Sequence, residues 1–111
     1  MTEYHVSLPD PKAARGADDA LSFRSNGAQG FAEELQDALT GTALFEAWRA
    51  SQPDPDAVDP QLGATDPSAT VVGTQQDLRI NLRVTTTLGS DIFKQRMRLL
   101  AGHHWELREV R

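Results

Sequence analysis

Residues 77–88 contain the most regular pattern in the chain, an alternation of aliphatic and polar side chains. Leu78, Ile80, Leu82 and Val84 alternate with Arg79, Asn81, Arg83 and Thr85. Successive side chains of a β-strand point to opposite faces, so this spacing predicts a strand with one apolar face and one polar face. The apolar face must pack on other elements, which the rest of the chain has to supply.

A second, shorter alternation lies near the N-terminus. It consists of Tyr4, Val6 and Leu8, and Pro9 follows it directly. Because proline lacks the N–H that a sheet ladder requires, this strand is expected to end there. Residues 20–25 carry two apolar side chains two positions apart and are a candidate for another short strand.

Residues 31–50 have a different period. Their apolar side chains recur with the spacing of one helix face: Phe31, Leu35, Leu39, Leu44, Phe45 and Trp48. Gly41 interrupts the pattern, and glycine is common just after a helix end. The segment is therefore either two helices that meet near Gly41 or one bent helix. In both cases its apolar face is expected to cover the sheet.

Residues 51–69 differ in composition from the rest of the chain. They contain four prolines and four aspartates. Proline lacks the backbone donor and restricts the residue before it, so neither a helix nor a strand can continue through this segment. Loops of this length are uncommon inside a compact domain. This one is expected to be mobile, with Val58 and Leu62 as its contacts to the core.

Residues 92–100 fit two patterns. As a strand, the segment alternates apolar residues with basic ones; as a helix, it begins at Ser90 and ends at Gly102. The strand is favoured, because turns on both sides would give a simple antiparallel meander that closes with a last strand containing Trp105 and Leu107. The sequence thus predicts a single α+β domain over residues 1–111, with a helical unit packed on an antiparallel sheet and a C-terminal β-meander.

The amino-acid composition restricts both the expected cellular compartment and the kinds of site that the chain can form. The chain has no cysteine, which excludes disulfides, thiolate metal ligands and a cysteine nucleophile. No run approaches the roughly 18 apolar residues that span a bilayer, and the first residues lack the basic and apolar regions of a signal peptide. We therefore expect a cytoplasmic protein without membrane contact. The excess of arginine over lysine indicates a GC-rich bacterial coding sequence.

Motifs that would indicate catalysis or metal binding are missing. His103 and His104 are adjacent, so in a strand their side chains would point to opposite faces and could not readily share an ion. Asp54, Asp56 and Asp59 resemble the start of a calcium loop, but the later glycine and glutamate of that loop are missing. No nucleophile elbow, Walker loop or dinucleotide fingerprint occurs. The sequence predicts no metal, no cofactor and no enzymatic activity.

The net charge of −5 is distributed unevenly along the chain. Residues 1–76 carry four basic and twelve acidic side chains, whereas residues 77–111 carry seven basic and four acidic ones. If strands 77–88 and 92–100 pair, five basic side chains share one sheet face. This predicted partner-binding surface consists of Arg79, Arg83, Lys94, Arg96 and Arg98.

These features favour a non-catalytic bacterial module that acts by protein–protein contact, with an unknown partner or with another copy of itself, since unpaired sheet edges need covering. The alternative is association with nucleic acid through the arginine-bearing face. The outward strand positions carry no aromatic side chains for base stacking, which weighs against that alternative. An ordered pocket that joined His5, His104 and carboxylates would instead indicate an enzyme.

Overall fold

The computed structural model describes residues 1–111 and shows three helices packed on a four-stranded antiparallel sheet. The α-helices and strands in chain order are β1 (Thr2–Leu8), α1 (Ala28–Thr40), α2 (Ala43–Ala50), β2 (Thr70–Gln76), β3 (Arg79–Thr86), α3 (Ser90–Ala101) and β4 (Glu106–Val110). Two short 3-10 helices, Pro55–Ala57 and Pro60–Gly63, lie between α2 and β2. The strand order is β2-β3-β1-β4, which with this element order gives a split βαβ arrangement. The predicted α+β class is confirmed.

The core lies between one face of the sheet and helices α1 and α3. The ring of Tyr4 on β1 stacks on Phe93 of α3, with 4.2 Å between the ring centroids. The Tyr4 hydroxyl donates to the carbonyl oxygen of Leu88 at 3.0 Å, which satisfies the one polar atom of this side chain. The other large buried side chains include Val6, Leu8, Phe23, Phe31, Leu35, Leu39, Ile80, Leu82, Val84 and Met97.

The strand predicted over residues 77–88 is present but begins at Arg79. Asp77 and Leu78 form the two-residue connection between β2 and β3, and Gln76 pairs with Arg79 across it. Asp77 has a φ of 55°, the left-handed conformation that tight hairpin turns require. Leu78 therefore projects from the turn and is 85% exposed, so its assignment to the apolar face of the sheet is wrong.

The strand favoured for residues 92–100 is wrong, because this segment is helix α3. Phe93, Met97 and Leu100 fall on one helix face and are buried in the core. Gly102 ends the helix with a φ of 62°, as the helical alternative predicts. A short run of alternating apolar and basic residues fits both periods, and packing decides between them. As a consequence β4, the C-terminal strand, follows a helix and pairs with β1.

Two further predictions concern the first half of the chain. The two-helix alternative for residues 31–50 is confirmed, since α1 ends at Thr40 and α2 begins at Ala43. The short strand over residues 20–25 is wrong. This segment is irregular and is held to α3 by a hydrogen bond from the Phe23 N–H to the Leu100 carbonyl, at 2.9 Å.

Helix α1 packs closely against β2 at Gly73. A Cβ atom at this position would lie 2.3 Å from the carbonyl oxygen of Ala28 and 3.3 Å from the Cβ of Ala32. The atom at the shorter distance belongs to the backbone and cannot rotate away, so the helix and strand would have to separate. We expect Gly73→Ala to lower the free energy of unfolding by about 2 kcal/mol, measured by urea denaturation.

Gly41→Ala is the matched control for this prediction. Its added Cβ would meet only the carbonyl oxygen of Asp37, at an ordinary 3.5 Å. We expect a change within about 0.5 kcal/mol. A Gly73→Ala variant as stable as the control would contradict the close approach of α1 to β2.

Candidate interaction surface

No helix packs on the second face of the sheet, which we call the open face. Its side chains alternate with the buried ones along each strand and are almost all polar. An antiparallel sheet can keep one face in water, so this arrangement is stable without a partner. The open face comprises Glu3, His5, Ser7, Thr70, Val72, Thr74, Gln76, Arg79, Asn81, Arg83, Thr85, Glu106, Arg108 and Glu109.

A shallow depression of about 650 Å³ runs across the open face. Its lining combines guanidinium, imidazole, amide, hydroxyl and carboxylate groups with one exposed aliphatic side chain. The side chains on this surface are His5, Val72, Thr74, Asn81, Arg83, Arg108 and Glu109. Such a surface can form hydrogen bonds and ion pairs with a partner and can contribute some apolar contact.

The charged side chains of β1 and β4 are paired locally. The pair with Arg111 lowers the pKa of Glu109 below its ordinary value and raises the pKa of Arg111. These groups are mostly solvated, so the pairs contribute little to stability. The two arginine pairs nevertheless offset two of the carboxylates on this half of the open face. The three pairs are His5–Glu3 at 2.6 Å, Arg108–Glu106 at 3.7 Å and Arg111–Glu109 at 3.1 Å.

The other half, formed by β2 and β3, carries positive charge without a counter-ion. Neither Arg79 nor Arg83 forms a salt bridge within the chain. β2 contributes no charged residue. Val72, which pairs with Arg83 across the two strands, is 47% exposed. The β2–β3 half of the open face thus combines two unpaired guanidinium groups with an exposed aliphatic side chain.

The five basic residues predicted to share one face lie in three places. Arg79 and Arg83 are on the open face, Lys94 and Arg98 are on α3 beyond the opposite face, and Arg96 is fully buried. The prediction of a shared face is therefore wrong. Its cause is the helix at residues 90–101, in which residues two positions apart point in nearly opposite directions.

Arg96 connects α3 to the end of α1 and to the proline-rich segment. Its Nη1 donates to the carbonyl oxygen of Ala38 at 3.2 Å, and its Nη2 donates to those of Leu62 at 2.6 Å and Ala64 at 3.0 Å. Burial lowers the pKa of Arg96, and its Nε has no partner. The Ala38 carbonyl lies in the last turn of α1, where the helix dipole favours a cation. The guanidinium therefore joins three chain segments.

Asp66 holds the other end of the same segment. Its carboxylate accepts hydrogen bonds from the N–H and hydroxyl of Ser68, at 3.0 and 2.7 Å. It also accepts from the Thr86 hydroxyl at 2.9 Å and the Thr87 N–H at 2.8 Å. These bonds, that from the Ser68 hydroxyl above all, keep the pKa of Asp66 well below its ordinary value. The mobility predicted for residues 51–69 stays a prediction.

Sequence reasoning did not single out Asp66, which it counted only as one of the four aspartates of residues 51–69. The signal that distinguishes it is the Ser68 that follows, since Asp-x-Ser allows the carboxylate to bond locally. None of the principal surface depressions is lined by Asp66 or Arg96. The hydrogen bonds of both side chains join separate segments of the chain.

The histidines are not brought together. His5 lines the depression on the open face, whereas His103 and His104 line a separate one of about 370 Å³ near the end of α3. The side chains of Arg15 and Arg98 share that second depression. No group of three histidine and carboxylate side chains converges as a metal site would require.

The chain matches no protein-family model, no curated protein and no solved structure. None of its helices has the length and apolar character needed to cross a membrane.

Proposed function

We propose that this chain is a non-catalytic protein–protein interaction module of the bacterial cytoplasm, and that the β2–β3 half of the open face contacts its partner. The observation that supports this proposal is the pair of unneutralised guanidinium groups on Arg79 and Arg83, beside the exposed Val72. Arginine is enriched at interfaces because its guanidinium binds carboxylates with two parallel hydrogen bonds.

The chemistry of this surface indicates what the partner should present. Carboxylates would pair with Arg79 and Arg83, and an apolar side chain would cover Val72. Thr74 and Asn81, which lie between the two arginines on the open face, can supply hydrogen bonds. Because the whole chain carries a net charge of −5, this local positive region also favours one orientation of an acidic partner over others.

Reversing one charge tests the proposal. We expect Arg83→Glu to reduce recovery of the partner by about tenfold or more, because it replaces an attractive contact with a repulsive one. Affinity capture from the native cell, quantified by mass spectrometry, measures this recovery for tagged wild type and variant.

Arg98→Glu is the matched control, since it makes the same charge change at an exposed position of α3. Recovery that falls equally with both variants would assign the effect to net charge rather than to the open face. A wild-type capture without any protein partner would overturn the proposal.

Association with nucleic acid is the alternative function for the same surface. Nucleic-acid binding has less support than a protein partner, because the open face offers only two unpaired guanidinium groups, on Arg79 and Arg83, and no aromatic side chain. Oligonucleotide binding that weakens steeply with rising salt would favour it. Wild-type protein that binds no oligonucleotide at low salt would eliminate it.

A further inference from the structure

β2 is an edge strand, and its register shows which of its backbone groups face outward. Glu3 and Arg111 exchange backbone hydrogen bonds of 3.0 and 2.8 Å beside β4, so the odd-numbered residues of β1 face β4 and the even-numbered ones face β3. Following this alternation across β3, the even-numbered residues of β2 bond to β3. The N–H and C=O groups of Val71, Gly73 and Gln75 therefore point away from the sheet.

The side chain of Gln36 provides an independent check on this assignment. Its Oε1 accepts a hydrogen bond of 3.0 Å from the N–H of Val71, which is the first outward donor of β2. The next two outward donors, on Gly73 and Gln75, form no backbone hydrogen bond outside the sheet and receive no such cap. Two backbone N–H groups are thus left free on this edge.

The two edges of the sheet differ in their protection against strand pairing. β4 has five residues, three of them charged, and its register with β1 is interrupted by a bulge. β2 has seven residues with no charge and no proline. Short length, charges and bulges are the means by which edge strands avoid pairing with other chains. β4 has all three of these protective features, and β2 has none of them.

We propose that two copies of this chain pair antiparallel through the outer edges of β2 and form one continuous eight-stranded sheet. A two-fold axis beside Thr74 places Gly73 of each copy opposite Gln75 of the other. Both free donors of each copy are then used, together with their own carbonyl groups. If the register shifted in one direction, the pairing would involve Val71, whose N–H is already bonded to Gln36. If it shifted in the other direction, the pairing would involve Asp77, which lies in the turn.

A second copy fits this edge better than an unrelated peptide does, because the free groups are complementary to themselves under that axis. The seam carries no charge, so two chains with a net charge of −5 each can meet there without close repulsion. The two Thr74 side chains face each other on the open face, a favourable cross-strand pair. This proposal does not depend on the function proposed above.

Charge substitutions at Thr74 test the two-fold axis directly. We expect concentration-dependent dimerisation of the wild type by sedimentation velocity, and a dissociation constant at least about tenfold higher for Thr74→Lys and for Thr74→Glu, since each places like charges opposite each other. An equimolar mixture of the two variants should recover the dimer. A wild type that stays monomeric at every concentration, or variants that dimerise like the wild type, would overturn the proposal.

A proline at Gln75 tests the hydrogen bonds themselves. Gln75→Pro removes an outward N–H without removing a bond between β2 and β3, whereas Gln75→Ala makes a comparable side-chain truncation and retains the N–H. The dimer should be lost only with proline. A proline variant that dimerises normally would contradict pairing at this edge, and the mixed Thr74 variants decide the question if the proline variant does not fold.

Discussion

We expect Arg96→Met to lower the free energy of unfolding by about 3 kcal/mol, because it removes a charged donor from three carbonyl oxygens in and beside the core. Methionine fills much of the same volume, so the loss reports on the hydrogen bonds more than on a cavity. Urea denaturation followed by circular dichroism measures it. Because the guanidinium joins α1 to residues 62 and 64, local proteolysis between residues 51 and 69 should also increase in this variant.

Two further variants serve as comparisons for Arg96→Met. Arg98→Met removes an exposed arginine from the same helix and should change stability by less than about 0.5 kcal/mol. Arg96→Lys keeps the charge but lacks the planar fork that reaches several carbonyls at once, so it should fall between wild type and methionine. If Arg96→Met is as stable as wild type, the desolvation of the guanidinium cancels all that its hydrogen bonds contribute.

Asp66→Ala should lower the melting temperature at neutral pH by an amount on the order of 10 °C. The substitution leaves the N–H groups of Ser68 and Thr87 and the Thr86 hydroxyl without the carboxylate that accepts from them. The side chain is 4% exposed, so water cannot readily replace it. Asp54→Ala, at an exposed position of the same segment, is the control and should melt like the wild type.

The dependence of stability on acidic pH provides a second test of the role of Asp66. Its pKa is lower in the folded chain than the value of about 3.9 expected in the unfolded chain. The stability that it contributes is therefore present above about pH 4 and is lost as the pH falls toward the native pKa. Melting temperatures of wild type should decline on acidification from about pH 4 more steeply than those of Asp66→Ala. Parallel declines would show that other carboxylates determine the acid sensitivity.

The sequence predicts those elements in which the spacing of apolar residues fits either the helix period or the strand period but not both. The alternation from Arg79 to Thr85 fits only a strand, and the spacing from Phe31 to Leu39 fits only a helix. Residues 92–100 fit both periods, and in the fold their helix packs on residues from the far end of the sequence, as the ring of Phe93 does on Tyr4. Long-range packing of that kind leaves no local signal.

β2 is missed for a different reason. Its sequence, Thr-Val-Val-Gly-Thr-Gln-Gln, has little apolar content, and the turn after it is Asp77-Leu78 rather than the Asn-Gly or Asp-Gly that marks a hairpin. The turn forms because aspartate tolerates a positive φ, as Asp77 does here.

The candidate surface was predictable only in part. The outward direction of Arg79 and Arg83 follows from strand alternation. The burial of Arg96 does not, because its acceptors at residues 38, 62 and 64 are distant in sequence and are backbone atoms of ordinary residues. A buried arginine that binds carbonyl groups has no sequence signature, whereas one that pairs with a carboxylate can sometimes be inferred from charge patterns.

The position of β1 has a consequence for the order in which the chain can fold. β1 is the first strand of the chain but lies between β3 and β4, so both of its neighbours come from residue 79 or later. During synthesis, Tyr4, Val6 and Leu8 have no sheet partner until most of the chain has emerged from the ribosome. Contacts of such long sequence separation slow folding and prolong the exposure of apolar strands. A nascent chain that stops before β3 has no partner for its central strand and should depend on chaperones to stay in solution.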